Sequence, residues 1–278
     1  MFPQFRLGMG QMLVEGGKLE ENLQRAEAMI RKAHEADCQA IVLPECLDTG
    51  WTHPSARELA QTIPSETSDR LCDFARTYGM MVAAGLTELD NGRIYNSAIL
   101  LDETGKILLK HRKINILQIE ELYDVGNMLS VAETRFGTIG VNICADSFIN
   151  SLAIGHVQAR MGAHFIFSPS AWAVDANHDN TKQPYGEDWK KAYTELCRLY
   201  GITMVGVSNV GWLTDGPWKG KKAIGCSLAI GPDGKIIAQG PYGSDAETLI
   251  TVTLKAKPRK VKGTEYSQYL KEKGYEGP

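Results

Sequence analysis

Three side chains of the sequence carry reactive groups and stand where hydrophobic runs end. Glu45 closes AIVLPE, Lys113 closes ILLKHRK and Cys144 closes IGVNIC. Short apolar runs of this kind read as buried strands, and ligands bind at strand ends in α/β proteins. A carboxylate, an ammonium and a thiol meeting there form a set suited to nucleophilic acyl transfer. The thiol is mostly protonated at neutral pH and needs a base before it can attack. A partly buried carboxylate has its pKa raised towards neutrality, so it can take that proton and give it back. Attack on a carbonyl or nitrile carbon builds negative charge on oxygen or nitrogen. A fixed ammonium and a backbone N–H can stabilise that charge.

The elements around these residues read as mixed α/β. Residues 19–36 predict a helix with Leu23, Ala26, Met29, Ile30 and Ala33 on one face. A buried strand over 40–45 follows, stopped by Pro44, then a helix over 65–78 ended by Gly79 and a strand over 80–86. Residues 94–101 and 106–113 predict a hairpin around a turn at 102–105, and two strands over 129–135 and 138–143 meet near Gly137. Beyond Cys144 come a helix over 151–161 and a strand over 164–172. The second half then echoes the first. A helix over 186–200 precedes the strand ITMVGVSN, and the hairpin IGCSLAIGPDGKIIAQG resembles NSAILLDETGKILLKH. Two copies at long spacing predict two similar α-β layers packed on each other. The last strand is expected over 247–254. Residues 174–185 and 211–222 read as irregular loops, and residues 1–278 as a single domain with 255–278 as a C-terminal arm.

Composition narrows the class. Hydrophobic residues at 43% and a formal charge of only −3 describe a folded globular chain rather than a disordered one. Thirty basic and 33 acidic residues without a basic block argue against nucleic acid as a partner. The first residues lack the apolar core of a signal peptide, and no apolar run approaches the roughly 20 residues that span a bilayer, so no membrane association is expected. Six cysteines without a CxxC pair predict free thiols in a reducing cytoplasm.

The segments LPE at 43–45, HRK at 111–113 and ICAD at 143–146 resemble, in order and separation, the three signatures of the nitrilase superfamily, the carbon–nitrogen hydrolases. The resemblance runs from GMGQM at Gly8 to the strand before Lys255. It implies a four-layer αββα sandwich, in agreement with the echo between the two halves. It also implies roles: Glu45 as general base, Lys113 as oxyanion-stabilising cation, Cys144 as nucleophile and the Ala145 N–H as second donor of the oxyanion hole. Many members carry a second glutamate after the lysine, ahead of an aromatic and a glycine. Glu120 and Glu121 compete for that place, ahead of Tyr123 and Gly126. The spacing to the glycine favours Glu121, which would hold Lys113 charged and orient substrate, leaving Glu120 solvated.

After the nucleophile the sequence departs from the pattern. CADSFIN has Phe148 where amidase members often have arginine, and it has no proline. Ala145 and Asp146 resemble the amide-cleaving members rather than nitrilases, which usually carry tryptophan and glutamate there. The resemblance therefore implies a hydrolase of non-peptide C–N bonds, acting on a small amide or N-carbamoyl compound and water through a cysteine thioester. Nitrile hydrolysis, acyl transfer to an amine, and a non-catalytic interaction module of the same fold are the alternatives. A homodimer or higher homo-oligomer is implied as well. No organic cofactor is expected, and no metal, because no spacing of His, Cys and carboxylates fits a metal site.

Plainer readings stand beside these. Cys38, Cys72, Cys197 and Cys226 read as small buried hydrophobes, and Cys46 as packing or site lining. Lys113 alone would be one member of a basic edge with Lys110, His111 and Arg112. Asp146 reads as a structural acceptor of backbone N–H groups. Trp51, Tyr123, Trp172 and His178 are the candidate substrate-binding residues. Trp172 could equally serve the core or a subunit contact, and the polar loop with His178 and Asp179 could be solvated.

Overall fold

The computed structural model describes residues 2–258 and 272–274. Its strands, in chain order, are β1 (Gln4–Gln11), β2 (Ala40–Val42), β3 (Met81–Asp90), β4 (Arg93–Leu101), β5 (Ile107–Arg112), β6 (Val131–Thr134), β7 (Gly137–Val141), β8 (Phe165–Ser170), β9 (Ala173–Val174), β10 (Thr203–Ser208), β11 (Val210–Trp212), β12 (Lys222–Ile224), β13 (Leu228–Ile230), β14 (Ile236–Gln239) and β15 (Thr248–Lys255). The helices are α1 (Leu19–Glu35), α2 (Ala56–Leu59), α3 (Glu66–Tyr78), α4 (Leu152–Arg160) and α5 (Glu187–Tyr200). One sheet runs β15-β1-β2-β3-β4-β5 and the other β14-β13-β10-β8-β7-β6, with β11-β12-β9 as a small third sheet.

The side-chain alternation of the first sheet builds the layers. Phe5, Leu7, Met9, Ala40, Val42, Met81, Ala83, Ala98 and Leu100 face the second sheet and share one core with Ile139, Val141, Phe165 and Phe167. Their neighbours Ile41, Val82, Ala84, Ile99 and Leu101 face the other way and pack with Leu23, Ala26, Met29 and Ile30 of α1 and Leu71 and Ala75 of α3. Leu152 and Ala159 of α4 and Ala192, Tyr193 and Leu196 of α5 cover the second sheet. The result is the αββα sandwich that the sequence implied. Burying a single leucine-sized side chain in such a core contributes about 2 kcal/mol, so the alternation fixes register strongly.

The echo between halves is visible in the strand pairing. β2 and β3 pair in parallel, and β3, β4 and β5 then pair antiparallel. In the second sheet β8 and β10 pair in parallel, and β10, β13 and β14 pair antiparallel.

Three sequence expectations need adjustment. Strand β1 was not anticipated: Gly8 and Gly10 occupy its helix-facing side and mask the apolar alternation. A Cβ at Gly10 would lie 2.8 Å from Met29 of α1, so the glycine lets the helix approach. Strand β3 continues to Asp90 instead of ending near 86, because Asn91 and Gly92, with φ of 50° and 76°, form a tight hairpin turn pairing Asp90 with Arg93. Residues 211–222, expected as irregular, begin and end in the antiparallel pair β11 and β12. Most of the C-terminal arm expected over 255–278 lies outside the described residues; Lys255 itself closes β15.

Candidate active site

Glu45, Lys113 and Cys144 each follow a strand on a constrained backbone. Glu45 lies three residues past β2, and its N–H donates to the Ser170 carbonyl at 3.3 Å, tying the end of β2 to the end of β8. Gly85 of β3 makes room for this turn: a Cβ there would sit 2.5 Å from the Glu45 Cα. Lys113 directly follows β5. Its N–H donates to the Asn96 carbonyl at 2.8 Å, and its own carbonyl accepts the Gly126 N–H at 2.8 Å. A Cβ at Gly126 would lie 2.1 Å from the Arg112 carbonyl oxygen, so only glycine permits that contact.

Cys144 opens the 3-10 turn Cys144–Ser147 with φ of 43°, a left-handed value that L residues adopt at a cost of roughly 1 kcal/mol or more. Asp146 holds the turn in that state. Its Oδ2 accepts the Ile143 N–H at 3.0 Å and lies 2.8 Å from His111 Nε2. Its Oδ1 accepts the N–H groups of Ile114 at 3.0 Å and Asn115 at 2.7 Å. Asp146 thus fastens the turn of the thiol to the chain on either side of Lys113, as the structural reading of this residue anticipated.

The charged centre is completely enclosed. Lys113 Nζ donates to Glu45 Oε1 at 2.8 Å and to Glu120 Oε1 at 2.6 Å, and all three residues have no solvent exposure. Asn96 Nδ2 donates to Glu45 Oε1 at 2.6 Å. Trp51 Nε1 donates to Glu120 Oε1 at 2.6 Å, and Glu120 Oε2 accepts the Leu117 N–H at 2.8 Å. Glu45 Oε2 is buried and has no hydrogen-bond partner among the described residues.

The protonation equilibria follow from two carboxylates sharing one ammonium. Burial raises the pKa of Glu45; Lys113 opposes the rise and the charge of Glu120 adds to it. Burial alone would lower the Lys113 pKa, but Glu45 and Glu120 outweigh it and hold the ammonium well above the ordinary lysine range. Burial and the Glu45 charge push the Cys144 thiol well above its ordinary value, while Lys113 and the Ala171 backbone pull it down. The mutual influence of Cys144, Glu45, Lys113 and Glu120 on one another's titration reflects their gathering at one place. The thiol rests protonated beside a carboxylate of raised basicity, an arrangement for proton transfer coupled to attack rather than for a standing thiolate.

The expectation for the second glutamate is corrected. Glu120, not Glu121, holds Lys113. Gln118–Glu120 form a 3-10 turn, and Glu120 folds back to accept the Leu117 N–H, whereas Glu121 is exposed. Steps of about 120° per residue carry neighbouring side chains to different faces, so only one of the two can point inward.

Trp51 and Tyr123 lie beside this centre. The Tyr123 hydroxyl accepts the Thr52 N–H at 3.0 Å and lies 3.5 Å from Cys46 Sγ, so Cys46 serves packing next to Glu45. Trp172 is buried and stacks on Trp189 with ring centroids 4.9 Å apart. His178 lines a cleft of about 780 Å³ with Phe148, Tyr185 and Trp189. Asn96 escaped the sequence reading. A lone amide inside the apolar strand IYNSAILL is the signal for it, since a buried amide needs partners.

The sequence matches the carbon–nitrogen hydrolase family over residues 6–260. The chain belongs to this family, within the nitrilase superfamily. This family member is 32% identical over 266 residues to the omega-amidase NIT2 of Xenopus tropicalis, a match spanning 90% of this chain and 88% of that protein. Its fold is shared by Nit3 of Saccharomyces cerevisiae, with a TM-score of 0.76, 24% identity and coverage of 91% of this chain and 90% of the other. An amidase of Nesterenkonia sp. AN1 superposes with a TM-score of 0.76 at 20% identity, covering 92% of this chain and 94% of that one. In that amidase the acetamide moiety of fluoroacetamide is added covalently at the active-site cysteine.

Proposed function

We propose that this chain hydrolyses the C–N bond of a small amide through a thioester on Cys144. The observation that carries the reading is the state of Glu45. One oxygen is fixed by Asn96 and Lys113, and the other, buried Oε2, has no partner among the described residues and is left to take a proton. Glu45 accepts the Cys144 proton as sulfur attacks the amide carbon. The oxyanion is stabilised by the Lys113 ammonium and the Ala145 N–H, and removing one such donor typically costs about 3 kcal/mol of barrier. The proton passes from Glu45 to the departing nitrogen, the C–N bond breaks and ammonia leaves. Water, deprotonated by Glu45, then attacks the thioester, and its proton returns to the sulfur as the acid is released. Glu120 keeps Lys113 charged throughout.

The relatives support this reading: one is named an omega-amidase, and another carries a covalent adduct at its active-site cysteine. The six cysteines are all unpaired, which accords with a reducing cytoplasm. A homo-oligomer formed through α4 is part of the proposal, since Ile149, Val157 and Met161 expose apolar surface at helical spacing. Substitution of Cys144 by alanine tests the chemistry. Ammonia release from a panel of amides should vanish while the circular dichroism spectrum stays unchanged, and the wild-type protein quenched in acid should carry an acyl mass on residue 144. Wild-type rates in Cys144→Ala would overturn the mechanism.

A further inference from the structure

Beyond the charged centre, the Cys144 neighbourhood is walled by stacked rings. Phe148, four residues past the thiol, stacks on Trp189 with centroids 4.6 Å apart and planes 25° apart. Trp189 stacks in turn on Trp172, and Trp172 faces Tyr185 at 6.3 Å. The Trp189 indole N–H donates to the Tyr185 hydroxyl at 3.1 Å, which fixes both rings. Cys144 packs in the same cluster as Trp172, Trp189 and Tyr193, with Phe148 and Tyr185 against it. The Cys144 charge reaches the hydroxyls of both Tyr185 and Tyr193, raising their pKa values further above the effect of burial. Phe148, Tyr185 and Trp189 line the cleft of about 780 Å³, so aromatic surface leads from open space to the cluster that holds the sulfur.

Charge in the cleft is already balanced. Lys221 pairs with Asp175 at 2.9 Å, Lys182 with Asp179 at 3.5 Å, and Glu187 with Lys190 at 2.9 Å. Asp188 stands 3.9 Å from Lys191. Lys113 is held between two carboxylates. Among the described lining residues, each lysine has a carboxylate partner, so a carboxylate on the substrate's acyl group would lose its hydration without gaining a free cation. A cationic acyl group meets the same difficulty in reverse, because the acids are occupied.

We propose that the acyl group this site accepts is an uncharged arylalkyl group, stacked on Phe148 and Trp189, so that the substrate is a primary amide of the phenylacetamide type. This rests on the amide-hydrolase reading above and deepens it. Ring stacking and apolar burial stabilise such a group, while a neutral pocket lacks compensation for a charged one. The full-length wild-type protein is assayed for ammonia release from phenylacetamide, succinamate and β-alaninamide, which present an aryl, an anionic and a cationic group. The expected result is a kcat/KM for phenylacetamide about tenfold or more above either charged amide. Phe148→Leu, which keeps an apolar side chain but removes the ring, should narrow that gap by raising KM for phenylacetamide more than it lowers kcat. If succinamate or β-alaninamide is hydrolysed as well as phenylacetamide, the substrate class is wrong and amide hydrolysis stands. If none of the three yields ammonia or an acylated Cys144, and other amides also fail, both readings fall.

Discussion

Trp51 and Lys113 donate to the same oxygen of Glu120, each at 2.6 Å. An indole and an ammonium converging on one carboxylate oxygen fix that carboxylate in place and leave it a single orientation. Glu120 Oε2 is occupied by the Leu117 N–H, so both oxygens of the residue are spoken for. Glu120 is therefore a positioning group for Lys113, not a second proton acceptor.

This separates Glu120 from its neighbour in a direct way. Glu120→Gln keeps the shape but removes the charge that holds the Lys113 ammonium, and kcat/KM for any hydrolysed amide should fall about a hundredfold. Glu121→Gln alters an exposed side chain and should leave kcat/KM within about twofold. Steady-state kinetics of the two variants decide the assignment. Equal losses would mean that the lysine does not depend on Glu120.

The sequence made the three motif residues readable because each closes an apolar run, and a charged group at such a place needs a reason. It made the layers readable because Ile41, Val82 and Ile99 alternate strictly with Val42, Ala83 and Leu100. Glu120 was misread because spacing to Gly126 counts residues but does not say which face of a 3-10 turn they occupy. The stack of Phe148 on Trp189 was also out of reach: it joins positions 41 apart in sequence, and neither residue signals the other locally. β1 was hidden by Gly8 and Gly10, whose lack of side chains serves helix approach instead of strand formation.

The pH dependence of activity should report Glu45. Its folded pKa is raised above the ordinary 4.5, and it must be ionised to take the Cys144 proton. Activity should therefore be lost as pH falls, through a midpoint above that value. Two variants should move the midpoint in opposite directions. Asn96→Ala removes a hydrogen bond that favours the ionised form and should shift the acid limb upward. Glu120→Gln removes a neighbouring negative charge and should shift it downward. Lys113, held well above its ordinary range, should contribute no alkaline loss near neutral pH. Profiles of kcat/KM against pH for the three proteins check this, and shifts of the same sign in both variants would contradict it.

Asp146 should matter for folding before it matters for rate. It accepts the N–H groups of Ile143, Ile114 and Asn115 and contacts His111 while fully buried. Burial favours its neutral form, but the bonds to His111 and to the backbone outweigh this and hold its pKa below the ordinary 3.8. A depressed carboxylate stabilises the fold above its unfolded pKa, and that contribution disappears as pH falls from 3.8 through the lower folded value. Asp146→Ala leaves several buried donors unsatisfied and should lower unfolding stability by about 3 kcal/mol or more at pH 7. Denaturant unfolding of wild type and variant should show that difference near neutrality, narrowing as the solution is acidified below 3.8. A difference independent of pH would mean that the charge of Asp146 contributes nothing.

The outer face of α4 supplies the last prediction. Ile149, Val157 and Met161 are 54%, 42% and 44% exposed, and their spacing of eight and four residues, with Ala153 between, lines them along one side. The buried side of the same helix carries Leu152 and Ala159 into the core that holds Cys144, so a partner on the outer face would brace the element that follows the nucleophile's turn. A second copy of the chain meeting this stripe would withdraw it from water, and a charge placed at its centre would oppose that association. Val157→Glu should therefore lower the molar mass measured by light scattering coupled to size exclusion, while the thermal unfolding midpoint of the separated protomer stays close to that of wild type at matched dilution. Ammonia release should fall in parallel with the loss of the larger species and recover at high protein concentration. A wild-type protein that is monomeric at all concentrations, or a variant with unchanged mass, would remove α4 as the subunit contact.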